Sequence, residues 1–388
     1  MFLRDIEPRD KWQDRVCRLG FDFFEVSQKY PYWVDDRYFQ FDMGQVDQVD
    51  KASEALHDMS IKAVQHVIEN DMLDKFGVPV QYHQLIKHSW RTDKSYLYGR
   101  FDLAWDGKHP PKLLEYNAQT PTSLFEASVV AWDWLECNVS RGLLPSYTDQ
   151  FNILDEQLIL QFKTLLVEKQ PETPILHFIV SEESEEDLRT VKYLAACADE
   201  AGWESIWLDT GDIQLTEDQR FADHESKLIT TAFWLYPYEF ALLDEYAQYI
   251  EHAGMKFIEP LWKVLLSSKA LLPVLWQLYP GHENLLPCYF SDDPKVCLIK
   301  DKVTKPIYSR EGANISIVFA GEDIEISDGC YGAEGFVTQQ YWPLAKFQYG
   351  RCVIGSWMVG RVGSGISVRE SYSRITDDVA RFIPHVII

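Results

Sequence analysis

The sequence predicts a mixed α/β protein built from more than one lobe. Residues 175–208 follow the order strand, helix, strand, which implies parallel strands joined by a right-handed crossover. Residues 98–117 alternate apolar and polar side chains in the manner of an antiparallel hairpin. The chain has 388 residues, of which 46% are hydrophobic and 14% aromatic, so two or three lobes with large cores can surround one cleft.

The segments before the hairpin are predicted to have structural roles. Residues 1–40 mix charged and aromatic side chains without a phosphate-binding or nucleophile motif, which favours an opening helix and extended segments. Between Val46 and Leu73, apolar residues recur close to the helical period, with acids and lysines between them. This spacing predicts an amphipathic helix.

The predicted hairpin carries the most informative polar residues of the chain. Its strands, Tyr98–Trp105 and Lys112–Asn117, flank a loop that opens with Asp106-Gly107 and contains Pro110-Pro111. Side chains two positions apart on a strand share a face. The polar face then carries Arg100, Asp102, Glu115 and Asn117, and the apolar face carries Phe101, Leu103, Leu114 and Tyr116.

The polar face of the hairpin has the chemistry of a metal and phosphate site. Carboxylate and amide oxygens are the ligands that Mg²⁺ prefers, and phosphate and water fill its other positions. Asp102, Glu115 and Asn117 are therefore candidate ligands, and the planar guanidinium of Arg100 suits a transferring phosphoryl group. A solvated face with a structural Arg–Asp pair has the same spacing, so the spacing leaves both interpretations open.

Two polar loops beside the hairpin are further candidates. Thr120-Pro-Thr-Ser123 precedes a helix predicted over 124–136, where Ser123 could contact an anionic substrate or act as an ordinary cap. The acidic loop 181–187 follows a predicted parallel strand, at the end where α/β sheets bind ligands. It could attract an ammonium group, or its acids could simply complement the dipole of the helix that follows.

The remaining pattern predicts regular elements and few other chemical motifs. The chain lacks GxGxxG, GxSxG, Walker A, HExxH and kinase catalytic-loop motifs, which excludes the corresponding sites. The predicted elements are helices over 153–168 and 185–200, strands over 175–181, 205–208 and 228–235, an apolar helix pair over 258–276, a strand-like run from 303, turns over 322–328, a strand over 335–340, and strands over 351–357 and 365–369 with a glycine-rich connection over 360–365.

Composition narrows the class of partner. The formal net charge of −23 argues against nucleic acid and anionic membranes, and it would suit a cationic ligand or serve solubility. The seven cysteines show no CxxC spacing, so we expect neither a disulfide framework nor a zinc site, and we expect a cytoplasmic setting. No secretory signal or run of about 20 apolar residues is seen, so no membrane association is expected.

Three segments resemble the glutathionylspermidine synthetase family. They are Tyr98–Asp102 with Leu113–Leu124, then Lys305–Ile315, and last the closing Gly355–Trp357, Ile375-Thr376, Arg381-Phe382 and Pro384-His385. The family consists of ATP-grasp enzymes that join a carboxylate to an amine. The resemblance implies an ATP-grasp fold of the glutathionylspermidine and glutathione synthetase type, with a smaller parallel α/β substrate lobe and a lid. It suggests an ATP-grasp body over 1–165 and 336–388, a substrate lobe over 166–255 and a lid-like lobe over 256–335.

The resemblance also assigns site residues, with ATP and Mg²⁺ as cofactors. Arg100 would be catalytic and would contact ATP, as would Phe101 and Asp102. Asp102, Glu115 and Asn117 would bind Mg²⁺. Lys269 and Lys305 would contact the nucleotide phosphates, and Gly312 belongs to a loop that resembles a phosphate-covering loop. Adenine would lie against Gln339, Gln340, Tyr341 and Trp342, ATP would also contact Arg374, Ile375 and Thr376, and substrate contacts would come from Ser123, Arg310 and Arg369.

Three functions remain open from the sequence. The first is an ATP-dependent ligase that joins a glutathione-like carboxylate to a polyamine-like amine through an acyl phosphate. The second is the same chemistry on another acid, such as a peptide or cell-wall fragment, because the resemblance is weak over 170–255. The third is a nucleotide-binding protein without catalysis. The amidase domain of bifunctional family members is not expected, since the chain has no room for it.

Overall fold

The computed structural model describes residues 1–27, 30–181, 184–377 and 379–388, with side chains 26, 27 and 30 also left undescribed. These residues form a mixed α/β architecture with a six-stranded, a five-stranded, a four-stranded and a three-stranded sheet, besides two short two-stranded ribbons. The predicted fold class is confirmed at this level. Among the described residues, no helix is long and apolar enough to cross a membrane.

The six-stranded sheet joins parts of the chain that lie far apart in sequence. The predicted hairpin forms, with strands Tyr98–Ala104 and Lys112–Asn117, and its first strand pairs antiparallel with Arg351–Val359, so that Asp102 faces Gly355. The sheet continues from Arg351–Val359 through Val362–Ser371 to Arg381–Ile383. The short strand Ala345–Lys346 also pairs with Arg351–Val359. The hairpin is thereby held in the middle of a rigid sheet.

A long helix covers one face of this sheet. Met43–Glu69 begins at a capping box in which Asp42 and Gln45 satisfy each other's backbone amides. Its apolar stripe packs on the sheet, and Ser53 Oγ lies 2.7 Å from Ser356 Oγ. The amphipathic helix predicted from the spacing over 46–73 is confirmed, and a 3₁₀ turn, Leu73–Phe76, follows it.

The ends of the chain meet in the three-stranded sheet. Arg37–Phe41 lies between Phe2–Asp5, which is antiparallel to it, and His385–Ile387, which is parallel to it. The further elements of the first 170 residues are the ribbon Glu25–Ser27 with Tyr30–Pro31, helices Trp12–Leu19, His83–Thr92, Ala131–Ser140 and Leu154–Lys169, the 3₁₀ turn Val80–Tyr82 and the π-helical segment Glu126–Val130.

The predicted β-α-β unit is confirmed as part of a four-stranded parallel sheet. Its strand order is Lys256–Ile258, Thr231–Trp234, Ile175–Val180 and Glu204–Asp209. The crossover helix Glu185–Glu200 packs on one face together with Leu154–Lys169. The other face is covered by the short elements Gln214–Leu215, Phe221–Ala222, Tyr238–Ala241 and Glu245–Tyr249 and by the loops between them.

The five-stranded antiparallel sheet contains three strands that were not predicted from the sequence, Cys288–Phe290, Ser316–Phe319 and Glu322–Ile326. Its order is Cys288–Phe290, Phe336–Gln340, Lys302–Pro306, Ser316–Phe319 and Glu322–Ile326. Turns were predicted over 322–328, and this prediction is wrong for most of that range. Ala320 and Gly321 both have positive φ, as two-residue hairpin loops commonly do, and they join Ser316–Phe319 to Glu322–Ile326. The acids of Glu322–Ile326 concealed the alternation of this strand.

One other departure from prediction also concerns a hairpin. The glycine-rich stretch 360–365 is not a connection, because only Gly360-Arg361 turns and the strand resumes at Val362. The apolar helix pair over 258–276 is confirmed as Val264–Ser267 and Leu271–Leu278, preceded by the 3₁₀ turn Leu261–Lys263. A further 3₁₀ turn covers Pro294–Leu298, and another covers Thr210–Asp212.

A β-bulge changes the face of one predicted core residue. Asp102 pairs with Glu115 while the next residue, Leu103, pairs with Leu113, so Leu114 is the extra residue on its strand. Leu113 is fully buried in the main core, whereas Leu114 packs with a small separate cluster and lines a cavity. The prediction that Leu114 shares the core face with Phe101 is therefore wrong.

Candidate functional site

The polar face of the hairpin forms the floor of a cleft of about 320 Å³. Asp102 lies directly opposite Glu115 across the two strands, and Arg100 lies opposite Asn117. All four side chains line the cleft, as the alternation predicted. The bulge after Asp102 leaves these two pairs in register, so the four polar groups stay together.

Asp102 lies between two guanidinium groups. Arg100 Nε donates to Asp102 Oδ1 at 2.8 Å, and Arg369 donates to the other carboxylate oxygen. Burial would raise the pKa of Asp102, but the positive charges of Arg100 and Arg369 outweigh burial and hold the pKa below its usual value. The carboxylate is therefore ionised, and it orients Arg100, whose Nη1 donates to the Thr122 carbonyl at 2.7 Å.

Two lysines contact the second strand of the hairpin. Lys269 Nζ lies 2.9 Å from Glu115 Oε2 and donates to the Ser309 carbonyl at 2.9 Å. Burial tends to raise the pKa of Glu115, but Lys269 and then Lys305 hold it below its usual value. Lys305 Nζ donates to the Leu114 carbonyl at 3.0 Å and to Gln339 Oε1 at 2.9 Å, and burial lowers its pKa to about 8.

A narrower recess of about 110 Å³ adjoins the cleft. The two cavities share Asp102, Glu115 and Lys269 in their linings. One wall of the recess is apolar, with Ile315 and Ile317 among its residues. The structure brings eleven of the predicted nucleotide residues together in this recess, namely Asp102, Lys269, Lys305, Gly312, Gln339, Gln340, Tyr341, Trp342, Arg374, Ile375 and Thr376.

The loop that carries Arg310 and Gly312 lies between the two cavities. Arg310 donates to Thr120 Oγ1 at 3.0 Å and to Glu239 Oε1 at 3.1 Å, and so connects this loop to the parallel lobe. Gly312 has φ +71°, and a Cβ on it would lie 2.5 Å from Ile375 Cγ2. Only glycine fits this approach, which gives the single glycine of the loop a steric reason.

Two predicted site residues are placed differently from their expected roles. The ring of Phe101 lies in the core, stacked on Tyr116 with 3.8 Å between centroids, so this side chain does not line the cleft. Ser123 lines the cleft, but it has φ +66° and its hydroxyl donates to Glu186 Oε1 at 3.2 Å. The hydrogen bonds of the Ser123 hydroxyl join it to Tyr32 and Glu186 and not to a backbone amide of the helix that follows, so the capping alternative is not supported.

The structure adds an acidic end to the cleft that the sequence indicated only in part. Ser184, Glu186, Asp187 and Glu239 line this end, while residues 182–183 of the predicted acidic loop lie outside the described residues. Burial, followed by the charge of Glu186, raises the pKa of Asp187 to about 6. Tyr32 also lines the cleft, and its contact with Glu126 spans 94 residues of sequence, a separation that no local pattern signals.

The hairpin face carries oxygen donors of the kind that Mg²⁺ prefers. Among the described residues, no group of three His, Cys, Asp or Glu side chains is arranged to hold a metal. The predicted set contains two such residues, Asp102 and Glu115, and its third member is the amide of Asn117. Because both carboxylates are held ionised and face each other across the strands, these residues fit a hard cation bound together with phosphate.

The sequence matches a known protein family over almost its whole length. The family model described as "Glutathionylspermidine synthase preATP-grasp" matches residues 4–388. The chain therefore belongs to the glutathionylspermidine synthase family, and the resemblance stated from the sequence is confirmed.

Individual relatives agree with this assignment. The chain is 37% identical to the "Putative acid–amine ligase" of Haemophilus influenzae over 384 residues, which cover 96% of both proteins. It is 27% identical to the trypanothione synthetase of Crithidia fasciculata over 348 residues, covering 83% of this chain and 52% of that protein. A glutathione synthetase-like effector from Globodera pallida shares the fold, with a TM-score of 0.60 at 10% identity and coverage of 99% and 98%.

Proposed function

We propose that this protein is an ATP-dependent ligase that joins a carboxylate to an amine through an acyl-phosphate intermediate. The observation that carries the proposal is the meeting of Asp102, Glu115, Arg100 and Lys269 in a cleft continuous with an apolar recess. The recess has the size and polarity of a base-binding slot, and its position behind the lysines suits a nucleotide whose phosphates point into the cleft.

The strand pairing supports an ATP-grasp arrangement with slightly shifted boundaries. The body consists of 1–165 with the C-terminal strands, because Tyr98–Ala104 pairs with Arg351–Val359. The substrate lobe extends to 258, since Lys256–Ile258 completes the parallel sheet. The lid-like lobe extends to 340, because Phe336–Gln340 is an inner strand of the five-stranded sheet. The nucleotide lies between the five-stranded and six-stranded sheets.

The polar residues of the cleft have defined tasks in this proposal. Lys305 and Lys269 neutralise the nucleotide phosphates, and Arg100 binds the transferring phosphoryl group with a guanidinium pre-oriented by Asp102. Asp102, Glu115 and Asn117 would hold Mg²⁺, which would supply charge neutralisation at the phosphates. The loop at Gly312 covers the junction of the two cavities and excludes water from the activated intermediate.

The reaction takes place in two displacements. A carboxylate oxygen of the acid attacks the γ-phosphorus, and the bond to the ADP oxygen breaks. The amine nitrogen then attacks the acyl carbon, the acyl C–O bond breaks, and inorganic phosphate leaves. Catalysis comes from positioning and charge neutralisation, since the phosphoryl transfer itself needs no covalent protein intermediate.

The charges of the cleft suggest where the two substrates lie. Arg310 and Arg369, near Ser123, provide cationic contacts for an acid, and Glu186 and Glu239 provide anionic contacts for an amine. The name of the family points to glutathione as the acid and spermidine as the amine. A different acid with the same chemistry is the second candidate, because the lobe that would contact it is the part least similar to the family's motifs.

ADP release from Mg-ATP tests the proposal. The protein is incubated with glutathione, spermidine, both or neither, and the products are identified by mass spectrometry. An amide that forms only when both are present supports the activity and its substrates. A further incubation contains glutathione and hydroxylamine. ADP release together with a hydroxamate in that incubation supports the acyl phosphate. Failure to release ADP with glutathione or with a panel of short peptides would refute the ligase and favour a binding protein.

A further inference from the structure

A buried carboxylate lies directly behind the acidic end of the cleft. Glu126 is 1% exposed and begins the π-helical segment Glu126–Val130. Tyr32, whose hydroxyl reaches the cleft, donates to Glu126 Oε1 at 2.6 Å. The other carboxylate oxygen of Glu126 is buried and has no hydrogen-bond partner among the described residues. A carboxyl group kept in this way, away from water and joined to the cleft by one hydroxyl, needs an explanation.

A short chain of hydrogen bonds connects Glu126 with the surface of the cleft. The Tyr32 hydroxyl lies 3.3 Å from Ser123 Oγ and 3.5 Å from Glu186 Oε1, and Ser123 donates to that same Glu186 oxygen at 3.2 Å. A cation bound at Glu186 would therefore lie next to the Tyr32 hydroxyl. The acceptor behind Tyr32 is separated from solvent by the tyrosine itself.

The chain of hydrogen bonds begins beside the phosphoryl site. Arg100 donates to the carbonyl of Thr122, and the next residue, Ser123, contacts Tyr32. The groups that face Glu126 are thus Tyr32 and Glu186, with the Arg100 guanidinium near them. Burial first, and the charge of Glu186 second, raise the pKa of Glu126 to about 8. A carboxylate with this pKa matches the range in which a base accepts protons efficiently at neutral pH.

We infer, on the basis of the ligase function proposed above, that Tyr32 and Glu126 form a relay that removes a proton from the amine substrate. The ammonium group binds at Glu186. One of its protons passes to the Tyr32 oxygen while the Tyr32 proton passes to Glu126 Oε1, which leaves a neutral amine with a free electron pair. The amine attacks the acyl carbon, the acyl C–O bond breaks, and the second proton leaves with the phosphate. Glu126 later returns its proton to solvent.

Two conservative variants, Glu126→Gln and Tyr32→Phe, test the relay with two nucleophiles. Spermidine is protonated at neutral pH and requires the relay, whereas hydroxylamine is largely unprotonated and does not. With glutathione and Mg-ATP, each variant should lose at least about tenfold in amide formation from spermidine at pH 7. Hydroxamate formation should stay within about twofold of wild type. Ser128→Ala, on the same π-helical segment, is the matched control and should change neither rate.

The pH profile separates a relay from a structural role. The wild-type rate with spermidine should level off near pH 8, the range in which Glu126 titrates. In Glu126→Gln the rate should continue to rise, about tenfold per pH unit, toward the pKa of a free alkylamine near 10. An equal loss with both nucleophiles at every pH would overturn the relay. If wild type forms no hydroxamate with any acid, the ligase proposal itself fails.

A binding experiment tests the relay without turnover. An ammonium group at Glu186 should favour the ionised form of Glu126, so spermidine binding at pH 7 should release a fraction of a proton from wild type. Calorimetry in two buffers of different ionisation enthalpy measures this release. Glu126→Gln should bind spermidine without it. An identical proton release by wild type and variant would overturn the inference even if no reaction is observed.

Discussion

Substituting Gly312 by alanine tests whether its loop must lie against Ile375 and Thr376 when ATP is bound. Gly312 has φ +71°, which costs an L-residue about 1–2 kcal/mol. The new Cβ would also lie 2.5 Å from Ile375 Cγ2 and 2.8 Å from the Thr376 carbonyl oxygen, and overlap of this kind costs about 1–3 kcal/mol. The sum, about 2–5 kcal/mol, corresponds to at least a ~30-fold loss of ATP affinity if the loop position is required for binding.

The measurement is the dissociation constant of Mg-ATP by calorimetry, combined with urea unfolding. Gly321→Ala is the matched control, because Gly321 has φ +86° but nothing within 4 Å of its added Cβ, so it experiences backbone strain without overlap. It should lose about 1–2 kcal/mol of stability and bind ATP normally. Adding Ile375→Ala to Gly312→Ala should recover part of the affinity, since the carbonyl overlap remains. Wild-type affinity in Gly312→Ala would refute the role of this loop in nucleotide binding.

Three further substitutions address the charges of the cleft. Arg100→Ala should lower single-turnover ADP formation about 100- to 1,000-fold with ATP affinity within a few-fold of wild type, and unchanged turnover would remove Arg100 from the mechanism. Asp102→Asn leaves Arg100 and Arg369 beside a neutral amide, so urea unfolding should show a loss of about 3–5 kcal/mol of stability. The same substitution should weaken magnesium-dependent ATP binding. An unaltered magnesium dependence would contradict the assignment of Asp102 as a ligand. Glu126 has a folded pKa of about 8, above the unfolded value near 4.3, so its contribution to stability is present at low pH and is lost as the pH rises through about 8. The free energy of unfolding of Glu126→Gln relative to wild type should therefore increase between about pH 5 and 8 by up to ~1.4 kcal/mol per pH unit, and parallel curves would contradict the burial argument.

The hairpin was predictable because its information is local. The alternation that places Arg100 and Asp102 on one face depends on the two-residue period of a strand, and the loop residues Asp106-Gly107 mark where the chain turns. The same reasoning found the β-α-β lobe, whose strands, helix and crossover each have a clear period. These elements formed as predicted, with boundaries within a few residues.

The parts that could not be predicted depend on pairing between distant segments. Nothing near Leu114 in the sequence shows that its strand carries an extra residue, because a bulge is defined by the partner strand. The strand Glu322–Ile326 is half acidic and is recognisable only from its pairing with Ser316–Phe319. Tyr32 lies in an aromatic segment without a recognisable motif, and Glu126 lies in a predicted helix. Only the fold brings the two side chains together at one end of the cleft.

The charges in the cleft also explain how the proposed Mg-ATP site can be stable before its ligand arrives. Three buried cations, Arg100, Lys269 and Lys305, and the partly buried Arg369 surround two carboxylates, Asp102 and Glu115, and each carboxylate is paired with at least one cation. The excess of charge in this cluster is positive. Burial lowers the pKa of Lys305, and the surrounding cations hold the pKa of both carboxylates below their usual values. The magnesium complex of a triphosphate carries both the negative charge this site lacks and a cation for its carboxylates. Binding would then exchange partners between charges that are already desolvated, so that less of the binding free energy is lost to stripping water from the protein.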